Sequence, residues 1–164
     1  MMTHLICELF EVLKGKTLAT AESCTGGMIG AQITAVAGSS KTYKGGIISY
    51  TNEIKTALLG VNTELLSREG AVCAEVAEAM AAGARRALNA DVAISVTGFA
   101  GPSGDDRGTP VGTVYIGYAD EKGAEAVCFC FDGDRETVRT QAAQEAIKLA
   151  YFKNKTHSVV EQNQ

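Results

Sequence analysis

Three short stretches carry the side chains able to do chemistry. The first is Thr20-Ala21-Glu22-Ser23-Cys24-Thr25-Gly26-Gly27, which follows the apolar run Thr17-Leu18-Ala19 and leads into Met28-Ile29-Gly30-Ala31-Gln32-Ile33. The apolar spacing after Gly27 suits a helix. A strand that breaks into small hydroxyl-bearing residues and then starts a helix can hold a nucleophile. The N–H groups of the first helical turn can bind an anion or a developing oxyanion. The same residues also fit a plain turn in which Ser23 or Thr25 caps the helix. Cys24 is a rival nucleophile, since thiolates at helix N-termini have lowered pKa. Against it stands the commoner case of a buried, inert cysteine.

The second stretch runs from Tyr50 to Lys55. The sequence holds two histidines, His4 and His157, both near its ends, so a nucleophilic hydroxyl needs another base. Lys55 falls in the first turn of a helix capped by Asn52. Desolvation and the positive end of that helix both favour a neutral amine there. Tyr50 can relay a proton or hydrogen-bond a ligand. The alternatives are a solvated lysine and a tyrosine packing its ring at a strand end. The third stretch, Thr97-Gly98-Phe99-Ala100-Gly101-Pro102-Ser103-Gly104, is a glycine-rich loop after an apolar strand. Arg135 and Arg139, one helical turn apart, form either a clamp for phosphate or carboxylate or surface pairs with Glu136 and Asp132.

These stretches need a frame. Helices are predicted over 5–13, from Gly27 to about Val36, over 52–59, 63–68 and 74–89, and after Asp132-Gly133-Asp134. Strands are predicted at 17–19, 46–50 and 91–96, with a hairpin of 114–118 and 126–131 across Asp120-Glu121-Lys122-Gly123. The pattern is a three-layer α/β/α sandwich on a mixed sheet of about five strands. It forms a single domain over 1–153, followed by a polar tail at 154–164 that is expected to be disordered. Ligands gather at the carboxyl ends of strands in open α/β sheets, so the three stretches are expected to share one cleft.

Composition narrows the function. The 164 residues are 46% hydrophobic, enough for one real core, and the net charge of −4 comes without a basic run. That argues against a dedicated nucleic-acid binder, which usually shows a basic face. No apolar run approaches the ~20 residues that span a bilayer, and the N-terminus carries no secretory signal. Five cysteines without a C-x-x-C predict reduced thiols, a cytoplasmic setting and no structural zinc. There is no G-x-x-x-x-G-K-[ST], no G-x-S-x-G and no S-x-x-K before a K-T-G, which excludes the phosphate-binding loop, the α/β-hydrolase elbow and the penicillin-binding pattern.

Seven ordered motifs resemble one family. They are Ala21-Glu22-Ser23-Cys24-Thr25-Gly26-Gly27, Ala37-Gly38-Ser39-Ser40, Tyr50-Thr51-Asn52-Glu53-x-Lys55, Gly70-Ala71-Val72, Thr97-Gly98-x-Ala100-Gly101-Pro102, Pro110-Val111-Gly112-Thr113-Val114 and Gly133-Asp134-Arg135-x-x-Val138-Arg139. Across residues 8–150 they resemble the CinA C-terminal domain family, whose standalone members include nicotinamide-nucleotide amidases. Thr51 stands where serine is more usual, and Cys73 where a helix-capping serine is expected. Larger members carry an added N-terminal molybdopterin-binding-like domain, which is not expected within these 164 residues.

The resemblance implies deamidation of nicotinamide mononucleotide to nicotinate mononucleotide and ammonia, with no metal or cofactor. It implies Ser23 as nucleophile and Lys55 as base, supported by Tyr50 and Thr97. Thr25, Gly26, Gly27, Asn52, Gly98, Ala100, Gly101, Arg135 and Arg139 are implied on the substrate side. The partner is then a small nucleotide, and the assembly a homo-oligomer, dimer or higher. The rival expectation is a catalytically silent nucleotide-binding or adaptor domain linked to competence or DNA damage.

Overall fold

The computed structural model describes residues 1–161, with side chains described through Lys155. Six α-helices surround one five-stranded sheet. The elements are α1 (Met2–Val12), β1 (Leu18–Glu22), α2 (Met28–Thr34), β2 (Tyr43–Ile48), α3 (Asn52–Leu59), α4 (Thr63–Glu69), α5 (Ala74–Ala87), β3 (Val92–Gly98), β4 (Thr113–Asp120), β5 (Gly123–Cys130) and α6 (Arg135–Glu161). The sheet order is β2-β1-β3-β4-β5. β1 runs parallel to both β2 and β3, while β4 and β5 are antiparallel, so the sheet is mixed.

The strand alternation explains the layers. On β1, Leu18 faces a core shared with Ile6 and Leu9 of α1, Ile29 and Ile33 of α2, and Val138, Ala142 and Ala146 of α6. Ala19 and Ala21 face the opposite core, with Leu59 of α3, Leu66 of α4, and Val76 and Met80 of α5. A period of two sends neighbouring residues to opposite faces. Helices therefore cover both sides, and β1 is buried along its whole length, its polar Thr20 and Glu22 included. Small residues set the depth of packing: a Cβ on Gly117 of β4 would stand 2.3 Å from the Ala77 carbonyl of α5.

Several boundaries differ from expectation. β1 extends to Glu22, directly against Ser23, because its ladder with β3 continues to Val96. β2 starts at Tyr43 and ends at Ile48, so Tyr50 lies past the strand. Thr51, not Asn52, caps α3, its hydroxyl accepting from the Ile54 N–H at 3.3 Å. α6 continues beyond residue 153: Asn154 is buried, and its Nδ2 donates to the Ala150 carbonyl at 2.8 Å. Of the expected tail, 154–161 is thus helical, and 162–164 lies outside the described residues. Asp134 caps α6 as expected, accepting from the Thr137 N–H at 2.8 Å.

Candidate active site

Three parallel strands end side by side at Glu22, Ile48 and Gly98. The chain breaks out of the sheet just after the central one. Ser23 still donates its N–H to the Val96 carbonyl at 3.0 Å, and its own carbonyl accepts from Gly26 at 3.1 Å, which folds the turn back on itself. Ser23 is 8% exposed, at the floor of a cleft of about 420 Å³.

Lys55 enters this cleft from α3 and is 1% exposed. Its Nζ donates to Ser23 Oγ at 2.9 Å, to the Ser49 carbonyl at 2.8 Å and to the Tyr50 carbonyl at 3.3 Å. Among the described residues no carboxylate partners it. Burial lowers its pKa from 10.5 to about 8, because the ammonium has lost its water, with a small opposing pull from Cys24. The amine and the hydroxyl are thus arranged as an activated serine requires. Cys24 is itself buried, and burial pushes its thiol up to about 11, against the partial lowering by Lys55 and the two arginines. It is a thiol at neutral pH and not a thiolate.

The four residues expected to be catalytic, Ser23, Lys55, Tyr50 and Thr97, line this one cleft, and so do Asn52, Gly98, Ala100, Gly101 and Arg135. Thr97 does not present a free hydroxyl. Its Oγ1 donates to the Ala71 carbonyl at 2.7 Å and so ties the Gly70–Val72 segment to the cleft wall. Arg135 donates to the Gly101 carbonyl at 2.7 Å and reaches the Tyr50 hydroxyl at 3.5 Å, placing an exposed cation and a phenol at the cleft mouth.

Thr25, Gly26, Gly27 and Arg139 do not line the cleft. The anion seat expected at the start of α2 is already filled. Glu22 accepts from the N–H groups of Gly27 at 3.0 Å, Ile29 at 3.1 Å and Gly30 at 3.0 Å. A buried carboxylate satisfies the orphan donors of the helix and lies at the positive end of its dipole. Thr25 is fully buried, with its hydroxyl unpartnered. Arg139 donates to the Cys24 carbonyl at 2.9 Å and the Thr25 carbonyl at 3.1 Å. The Glu22 cap and the Ser49 carbonyl were absent from the sequence expectations. A capping acid six positions before its helix, and a main-chain acceptor, leave no recognisable pattern.

All five cysteines are free. Among the described residues no cluster of side chains is suited to a metal ion, and no helix is long and apolar enough to cross a membrane.

A family profile described as the CinA C-terminal domain matches residues 3–152. The chain is similar to a CinA-like protein of Geobacter sulfurreducens, 52% identical over 134 residues that cover 82% of this chain and 32% of that protein. It is likewise similar to a CinA-like protein of Geobacter sp. strain M21, 56% identical over 125 residues, 76% of this chain and 30% of that one. The chain therefore spans about a third of the length of these relatives. A crystal structure of a competence-damaged protein (CinA) superfamily member from Klebsiella pneumoniae superposes with a TM-score of 0.91 at 33% identity, covering 95% of this chain and 99% of that chain.

Proposed function

This chain belongs to the CinA C-terminal domain family, and we propose that it is a serine amide hydrolase that converts nicotinamide mononucleotide to nicotinate mononucleotide and ammonia. The observation that carries this reading is the buried 2.9 Å contact between Lys55 Nζ and Ser23 Oγ. A binding module has no use for a desolvated lysine against a serine hydroxyl, whose burial costs stability. An acyl-transfer enzyme needs a nucleophile held against a base, which this pair can supply.

In the reaction, neutral Lys55 takes the Ser23 proton as Oγ attacks the carboxamide carbon. The C–O bond forms while the carbonyl electron pair moves to oxygen. On collapse, Lys55 returns its proton to the departing nitrogen and ammonia leaves. Water, deprotonated by the same amine, then cleaves the ester and frees the acid and Ser23. Gly98 is the favoured oxyanion donor. Phe99 sends its N–H to the Thr113 carbonyl across β4 at 3.0 Å. Strand alternation therefore turns the Gly98 N–H to the other edge, toward the break at Ser23. Gly26 is disfavoured, since its N–H is held by the Ser23 carbonyl. With Glu22 filling the helix start, the nucleotide phosphate is best served by Arg135 and Tyr50 at the mouth.

Ammonia release from nicotinamide mononucleotide by the purified chain, against Ser23→Ala, tests the assignment. Turnover lost in the variant supports it. Nucleotide binding with no turnover in the unaltered chain would leave a silent binding domain.

A further inference from the structure

We propose that Arg139 is a positioning residue for the nucleophile: its guanidinium holds the Cys24 and Thr25 carbonyls and so keeps Ser23 in line with Lys55, without touching the substrate. The inference rests on Ser23 being the nucleophile but not on which amide it attacks.

Two anchors bracket the turn. At its start, Ser23 is tied to β3 through the Val96 carbonyl. At its end, Glu22 clamps the N–H groups of Gly27, Ile29 and Gly30. Between them lie Cys24, Thr25 and Gly26, the last at φ +59° and three positions from the reacting serine. Arg139 spans this gap. Its Nε and Nη2 donate to successive carbonyls, at 2.9 and 3.1 Å, across 115 and 114 positions of sequence. A planar guanidinium offers its donors in a fixed fork, so it fixes the relative orientation of two peptide planes in a way a lysine ammonium cannot. Each peptide is planar and trans, so holding the Cys24 carbonyl toward α6 turns the Thr25 N–H away from α6.

A Cβ at Gly26 would make only ordinary contact with Arg139 Nη2, at 3.5 Å, so glycine serves this turn through its φ of +59° and not by making room for the arginine. α6 is seated by Val138, which is fully buried beside it. Arg135, one turn earlier, opens to the cleft mouth, while Arg139 lies behind the turn and outside the cleft lining. The two arginines of one helix thus divide the work, one toward ligand and one toward the nucleophile's backbone.

The test uses the full chain and a fluorophosphonate, a generic serine-reactive probe whose attachment to Ser23 is mapped by mass spectrometry. Arg139→Gln should slow labelling and lower kcat by roughly 10- to 100-fold while KM for nicotinamide mononucleotide stays within about twofold, the signature of a misplaced nucleophile. Arg139→Lys should fall between Gln and the unaltered chain. A folded Arg139→Gln that labels at the unaltered rate but shows a raised KM would make Arg139 a ligand contact and overturn the proposal. If Arg139→Gln does not fold, Arg139→Lys carries the test, and labelling equal to the unaltered chain overturns it. Labelling at Ser23 in the unaltered chain without ammonia release would count against the nucleotide substrate alone, since the Arg139 comparison is still read on the probe.

Discussion

Lys55 Nζ lies 2.9 Å from Ser23 Oγ, and its other two acceptors are the consecutive carbonyls of Ser49 and Tyr50. The count of hydrogen bonds matters. A protonated amine donates to all three. After losing one proton it keeps two N–H groups, one for each carbonyl, and its lone pair is left facing the serine hydroxyl. Deprotonation therefore needs no rearrangement, and the two carbonyls, which cannot donate, select which direction becomes the acceptor.

The pH dependence follows in sign. Burial lowers the Lys55 pKa to about 8, and the cation cannot accept the Ser23 proton. Activity should rise with pH through an acidic limb near that value and level off above it. Lys55→Arg should be as inactive as Lys55→Ala, since guanidinium keeps its charge and stays protonated. Steady-state rates between pH 6 and 10 check this. Substantial turnover in Lys55→Arg would remove Lys55 as the base.

Cys24 sits beside the nucleophile and has the stronger intrinsic nucleophile in its side chain, yet burial raises its pKa to about 11. Cys24→Ser should retain most of the activity. Ser23→Ala should lose several orders of magnitude, keeping what positioning and electrostatics supply. Iodoacetamide should label Cys24 slowly at neutral pH, because the thiolate is scarce. Rapid labelling, with Cys24→Ser inactive, would transfer the nucleophile's role to the thiol.

Glu22 accepts from three main-chain N–H groups while only 2% exposed. Glu22→Ala would leave these donors buried and unpaired, and each stranded donor costs about 1–3 kcal/mol. A fall in stability of at least ~2 kcal/mol by chemical denaturation is expected, with Glu22→Gln less severe because it keeps one acceptor oxygen. Unchanged stability in Glu22→Ala would show that water replaces the carboxylate and that the helix start is open to an anion after all.

Much of this was legible in the sequence, and for identifiable reasons. The apolar runs of β1 and β3 and the helical spacing in α5 and α6 are local patterns, which survive in one dimension. Ser23, Lys55 and Arg135 were singled out because each follows a strand end or opens a helix, and the convergence of strand ends brings them to one cleft. Four of the expected substrate-side residues lie outside the lining of that cleft. Thr25, Gly26, Gly27 and Arg139 looked like ligand contacts because donors at a helix start and an arginine on a helix are binding groups when free. Here Gly27 is engaged by Glu22, Gly26 by the Ser23 carbonyl and Arg139 by the Cys24 and Thr25 carbonyls, while the Thr25 hydroxyl is buried away from the cleft. Sequence shows which groups can bind but not which the fold has already used. The same limit hid the extra helical turns of α6, where polar Asn154 is buried under Tyr118, whose hydroxyl lies 3.5 Å from its Oδ1.

Gly98 offers the last and most local test. A Cβ at this position would stand 2.6 Å from Val114 Cγ2, 2.8 Å from the Thr113 carbonyl and 2.9 Å from Val114 Cα. Two of these atoms belong to the backbone of β4 and cannot rotate aside, so Gly98→Ala must push β3 away from its neighbour. Overpacking of this kind costs about 1–3 kcal/mol, which a folded domain can survive. The same displacement moves the Gly98 N–H, which strand alternation aims at the break beside Ser23. If that N–H stabilises the oxyanion, kcat should fall by roughly 10²- to 10³-fold, the scale for losing one such donor, while KM changes little. Activity and thermal unfolding measured on one preparation separate the two consequences. A folded Gly98→Ala with a normal kcat would mean that the oxyanion is held elsewhere, with the N–H groups of Cys24 and Thr25 next to be examined.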